Sequence, residues 1–291
     1  MLTGGPQSQK EGYLGATTVL ITGSSSGIGR ATAELLGEKG YRVLATMRNP
    51  DKGRELAAKA KDSGWDLTIL PLDVRDDASV RAAVKQAGDV DVLVNNAGFE
   101  VWGPLEEMGV GDLADQFDTN VYGPFRLVTA VLPAMRKRGS GVIVNVSSVA
   151  GRVGAPLNGL YAASKYALEA LSESLHYEVG HFGVRVHLIE PGGVDTPFAQ
   201  NRRLVGAGAG DESSPYRQLI TEWEQAASRL VPGGQRASAR AVAVVILEAI
   251  EKGDKLRYPV GQDANLVLTV RKQMDDEAFE AAMRQQLGLT W

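Results

Sequence analysis

Apolar residues along this chain fall into short continuous runs, and the stretches between them repeat at three- and four-residue steps. The runs are TTVLIT at 17–22, YRVLATM at 41–47, DLTILPLDV at 66–74, VDVLVNN at 90–96, GVIVNVSS at 141–148, VRVHLIE at 184–190 and LRYPV at 256–260. Most are rich in β-branched residues, the pattern of strands buried on both faces. Segments such as RATAELLGEK and DDASVRAAVKQAG carry the spacing of amphipathic helices. Strand and helix alternate, which predicts an α/β fold: one Rossmann-type, doubly wound parallel sheet of about seven strands flanked by helices. Longer helical segments are expected over 111–138, 161–182 and 238–253.

The 291 residues show no Pro/Ser-rich linker, charge block or internal repeat, so residues 17–291 are expected to form a single domain. Residues 1–16 predict a flexible lead. The sequence loosens over 197–236, where glycines surround a short amphipathic segment, and this predicts a mobile lid over a substrate pocket. A helical tail is expected over 263–291.

The first strand runs directly into GSSSGIG and then a helix. Strand, glycine loop and helix is the order that dinucleotide binding needs. Gly23, Gly27 and Gly29 let the backbone turn and approach a pyrophosphate, and the helix start offers unpaired N–H groups. The second strand ends in Arg48 rather than an acid, and Asp51 lies too far into the next turn to replace one. A cation there suits the 2′-phosphate of NADP, so NADP(H) is favoured over NAD(H), with Ser26 as a second donor. Asp73, after the third strand, could accept from an adenine amine; Asp76 or Asp77 fits the following helix cap better. NNAG at 95–98 ends the fourth strand and suits a wall beside a cofactor.

Tyr161 and Lys165 are four apart on a predicted helix and share a face. A free tyrosine has a pKa of roughly 10, and a neighbouring ammonium would favour phenolate. Ser148 stands thirteen residues before Tyr161, at the carboxyl end of a strand, where open parallel sheets bind ligands. Asn120 lies among apolar Phe117, Val121 and Leu127 and is expected to face inward, either in a site or as a structural bridge.

TGSSSGIG, NNAG, Asn120, the Ser148-to-Tyr161 spacing, YAASK and PGGVDT, in that order, resemble the short-chain dehydrogenases/reductases. The likeness covers 17–196 without a break. It implies that Tyr161 is the acid or base at a carbonyl oxygen. Lys165 would bind the nicotinamide ribose and lower the tyrosine pKa, Ser148 would orient the substrate oxygen, and Asn120 would hold a water linking Lys165 to solvent. The cofactor would also meet Ser25, Ile28, Val74, Asn96, Ala97 and Gly98. At PGGVDT it would meet Pro191, Gly192, Val194 and Thr196. RYPVGQDA, GAPLNGLYAASKYALEALSESL and the long tail look more like the branch with 17β-hydroxysteroid and retinol dehydrogenases than like acyl-carrier reductases. Within that likeness Phe99, Trp102, Val153, Leu157 and Tyr216 are candidates for an apolar substrate pocket. A homodimer or homotetramer is also implied.

These features predict an NADP(H)-dependent oxidoreductase interconverting a ketone or aldehyde and its alcohol, with a 3-oxoacyl reductase as the alternative. A nucleotide-sensing scaffold without turnover is the alternative from another class. Composition narrows the field further. The absence of cysteine excludes disulfides and thiolate catalysis and fits a cytoplasmic location. His176, His181 and His187 lack ligand spacing, so no metal is expected. A net charge of −4 disfavours nucleic acid as a partner, and no apolar run reaches the roughly 18 residues of a membrane span.

Overall fold

The computed structural model describes residues 17–227 and 236–288. The expected lead at 1–16, part of the lid at 228–235 and the last three residues of the tail lie outside the described residues.

Seven strands form one sheet: β1 (Thr18–Ile21), β2 (Arg42–Met47), β3 (Leu67–Pro71), β4 (Val92–Asn95), β5 (Gly141–Val146), β6 (Val184–Pro191) and β7 (Arg257–Val260). Every pairing is parallel, in the order β7-β6-β5-β4-β1-β2-β3. The order reverses between β1 and β4, and such a switch point opens a crevice at the carboxyl ends of the strands. Alternation along β1 feeds both faces. Val19 and Ile21 join a core with α1 (Gly27–Glu38), α2 (Arg54–Ser63) and α8 (Ala239–Glu251). Leu20 joins the opposite core with α3 (Asp77–Ala87) and α5 (Gly123–Arg138). Asp76, not Asp77, caps α3 by accepting from the N–H groups of Ala78 and Ser79 at 2.7 and 3.3 Å.

The segment expected as one helix over 111–138 is divided. Helix α4 (Val110–Phe117) meets α5 through a single wide π turn at Asp118–Tyr122. Pro124 supplies the cause: it has no N–H, so the Asn120 carbonyl lacks a donor four residues on and the ladder must widen. The catalytic candidates lie on α6 (Gly159–Val179). After α7 (Arg217–Ala227), the tail consists of two helices, α9 (Gln262–Gln273) and α10 (Asp276–Leu287), and α10 packs on α7.

The described part of the lid is tied to the domain. Arg203–Leu204 pairs in parallel with Val101–Trp102. The Arg203 guanidinium meets Asp112 and Asp115 at 2.8 and 2.7 Å. Glu107 accepts from the Ala207 N–H at 2.7 Å and from the Ser214 hydroxyl. Among the described residues no helix is long and apolar enough to cross a membrane, and no group of His, Cys, Asp and Glu is disposed to hold a metal.

Candidate active site

A cavity of about 1010 Å³ runs along the carboxyl ends of the strands, from the glycine loop to Tyr161 and the lid. At one end, Gly23 and Gly27 have φ of +70° and +55°, which an L side chain rarely adopts. Gly29 stands behind them and does not line the cavity. A Cβ on it would lie 2.4 Å from both the Gly23 carbonyl oxygen and Asn96 Nδ2. Asn96 locks the loop from β4, since its Nδ2 donates to the carbonyls of Thr22 and Gly23 at 2.9 and 3.1 Å. Ser26, the N-cap of α1, makes no side-chain cap, and it lines the cavity beside Ser25, Gly27 and Ile28. The loop, its positive φ angles and the α1 N-terminus fit a pyrophosphate.

Gly29→Ala is therefore expected to weaken dinucleotide binding at least tenfold. It should also cost about 1–3 kcal/mol of stability through overpacking against fixed backbone. Cofactor fluorescence titration and thermal unfolding measure the two effects, and parental values in both would show that the loop yields.

Arg48 and Lys52 line the adjoining part of the cavity, whereas Asp51 is turned to Arg54 at 2.7 Å. Asp73 and Val74 follow, with Asp73 Oδ1 accepting from the Arg75 N–H at 3.0 Å. Ala97, Gly98, Pro191, Gly192, Val194 and Thr196 complete the expected cofactor surface. The Gly192–Gly193 turn is held by Asp263 of α9, which accepts from the Gly193 N–H at 2.6 Å. Asp263 was outside the sequence expectation; its place at the start of a helix after Gly261 was the available signal.

At the other end, Ser148, Tyr161 and Lys165 meet in the cavity wall. Ser148 lies two residues past the end of β5 and Tyr161 in the first turn of α6, so the strand end and helix start converge on one point. The Ser148 hydroxyl, near the phenol, favours its ionised form. Burial has the opposite and larger effect, pushing the Tyr161 pKa above its ordinary value, and the Glu100 carboxylate pushes the same way. Lys165 is only 5 % exposed, and its Nζ donates to the Val146 carbonyl at 2.8 Å, 5.5 Å from the centre of the Tyr161 ring. The ammonium faces the ring and a backbone carbonyl. Burial also brings Lys165 itself down to about 8, against a smaller upward pull from Glu169.

Asn120 does not line the cavity. It is 1 % exposed, its Nδ2 donates to the Phe99 carbonyl at 3.0 Å and to Ser164 Oγ at 3.1 Å, and its Oδ1 accepts from the Phe99 N–H at 3.1 Å. Ser164 passes the link to the Tyr161 carbonyl at 2.7 Å. The side chain thus joins the π turn to the loop after β4 and to α6.

Of the expected substrate residues, Phe99, Trp102 and Val153 line the cavity. Leu157 and Tyr216 do not. Leu157 sits in a left-handed turn at φ 64° with its side chain buried elsewhere, and its carbonyl accepts from the Gly103 N–H at 3.0 Å. The Tyr216 hydroxyl is bound to the Glu106 carboxylate outside the cavity. The wall contains residues that the sequence did not single out: Glu100, Asn158, Phe198 and Arg202, with Val267 and Met283 from the tail. Phe198 packs on Tyr161 with ring centroids 5.7 Å apart.

A glycine loop, a cavity along the strand ends and a Ser–Tyr–Lys cluster at its far end define a dinucleotide-dependent oxidoreductase. The short chain dehydrogenase family model matches residues 17–205. The chain belongs to that family, whose members use NAD(P). Human retinol dehydrogenase 8 is 47 % identical over 186 residues, 62 % of this chain and 60 % of the relative. Human 17-beta-hydroxysteroid dehydrogenase type 1 is 45 % identical over 192 residues, 63 % and 58 % of the two chains. These matches thus span about three fifths of each relative. A crystal structure of a short-chain dehydrogenase from Streptomyces avermitilis is 34 % identical with a TM-score of 0.75, covering 94 % of this chain and 98 % of that one.

Proposed function

We propose that the protein reduces an apolar ketone or aldehyde to its alcohol with NADPH. The observation that carries this reading is the convergence of Ser148, Tyr161 and Lys165 at the end of a cavity that begins at the glycine loop. When bound, the dinucleotide supplies hydride to the carbonyl carbon. Ser148 donates to the substrate oxygen and orients it. Tyr161, holding its proton tightly at neutral pH, delivers that proton to the same oxygen as charge develops there. Lys165 binds ribose hydroxyls and, with a pKa brought down near neutrality, replaces the proton. Asn120 is assigned to the relay through a water that donates to its turn, because both amide hydrogens are taken and its carbonyl lacks the α-helical donor. Phe99, Trp102, Val153 and Phe198, with Val267 and Met283 from the tail, support an apolar substrate.

The NADPH preference rests on Arg48 and Lys52 in the wall, with the nearest acid turned away. Charge-assisted hydrogen bonds contribute about 1.5–3 kcal/mol, so Arg48→Ala is expected to weaken NADPH binding at least tenfold and leave NADH unchanged. Equal losses for both cofactors would remove the assignment. The reading as a whole is tested by following reduced nicotinamide absorbance with bulky apolar ketones, aliphatic ketones and 3-oxoacyl thioesters. Turnover confined to the thioesters would replace it with the 3-oxoacyl reductase alternative.

A further inference from the structure

An acid is buried in the wall of the cavity that holds the acid/base tyrosine. Glu100 interrupts the apolar stretch FEVW and is 3 % exposed. One carboxylate oxygen accepts from Asn158 Nδ2. The other lies 2.7 Å from Arg202 Nε. Asn158 is the N-cap of α6, three residues before Tyr161. Arg202 belongs to the lid, and its guanidinium also lies over the Trp102 ring at 5.6 Å. The Glu100 carbonyl accepts the Arg203 N–H at 2.9 Å, so backbone and side chain hold the same lid segment.

We propose that Glu100 is a positioning residue: it fixes the start of the catalytic helix through Asn158 and presents a lid-borne cation, Arg202, to the acid/base hydroxyl. The inference rests on the role given to Tyr161 above. The geometry makes the lid part of the electrostatics of catalysis. Four groups share the cavity wall with the phenol: Ser148 from just after β5, Glu100 from the loop after β4, Arg202 from the lid, and Lys165 from α6, its Nζ 5.5 Å from the ring centre. Glu100 opposes phenolate and Arg202 favours it. Glu100 has the larger effect while the pair is intact, and a change in either has a defined sign. Neutralising Glu100 leaves Arg202 to favour phenolate, whereas neutralising Arg202 leaves a buried carboxylate beside the phenol.

The experiment is the pH dependence of kcat for alcohol oxidation, in which Tyr161 must be deprotonated, for the parent, Glu100→Gln, Arg202→Gln and the double variant. A neighbouring charge in a buried site shifts a group by about one pH unit or more. Glu100→Gln should move the acidic limb down by about one unit, Arg202→Gln should move it up by less, and the double variant should fall between the two. Limbs that stay in place while kcat falls, or that move in the same direction, would reduce the cluster to a structural clamp and overturn the proposal. Tyr161→Phe is run beside them, and if that variant retains turnover the underlying reading fails, whatever Glu100 does. Cofactor binding and thermal unfolding confirm folding. Should Glu100→Gln not fold, Arg202→Gln, at a residue about one-third exposed, carries the test alone.

Discussion

Tyr161→Phe is expected to lower kcat for carbonyl reduction by about 10²–10⁴-fold, the usual worth of a positioned general acid, while leaving NADPH affinity within about twofold. The substitution removes one oxygen. The ring keeps its packing against Phe198 and its place over Lys165, so the cavity retains its shape. The proton donor is lost and Ser148 remains, able to polarise a carbonyl but without a proton to release near neutrality. The split between kcat and cofactor affinity is the informative readout. Steady-state kinetics and fluorescence titration supply it, and a variant with parental kcat would show that protonation comes from elsewhere. A parent without turnover on any carbonyl compound, but with tight NADPH binding, would favour the nucleotide-sensing alternative.

Much of this site is legible before folding because its residues are tied to strand ends. Once a run such as GVIVNVSS is recognised as a buried strand, Ser148 must emerge at the carboxyl edge of the sheet. Periodicity then places Tyr161 and Lys165 on one helical face. The glycine loop and Asn96 are legible for the same reason. What escapes is whatever depends on partners distant in sequence. Tyr216 looks like a pocket aromatic until its hydroxyl is found on Glu106, 110 residues away. Leu157 looks apolar and near the site, but a left-handed backbone turns it aside. Glu100 carried a signal, an acid inside an apolar stretch, yet its meaning required Arg202 from a segment with little periodicity. The π turn was signalled by Pro124, and the wide turn is what lets Asn120 bridge Phe99 and Ser164.

Lys165 illustrates a conflict between stability and chemistry, and Lys165→Met should expose it. Turnover is expected to fall by at least about 10²-fold, since the proton path and the ribose contact proposed for it are both removed. The folded protein should nevertheless become more stable at pH 7. The ammonium is taken out of water with one carbonyl as its hydrogen-bond partner, and its pKa falls from an ordinary 10.5 to about 8. The sign follows from proton binding. Between pH 8 and 10.5 the unfolded chain holds the lysine proton and the folded one has released it, so stability rises with pH across that window. Below pH 8 the full penalty is present, about 3 kcal/mol from the shift alone at roughly 1.4 kcal/mol per unit. Methionine fills similar space without the charge but leaves the Val146 carbonyl unpaired, which returns about 1–2 kcal/mol. The expected gain is therefore about 1–2 kcal/mol at pH 7, vanishing or reversing above pH 10.5. Denaturant unfolding of parent and variant at several pH values measures it. A variant less stable than the parent at pH 7 would mean that the Val146 hydrogen bond outweighs desolvation, and that the buried lysine supports the fold as well as the reaction.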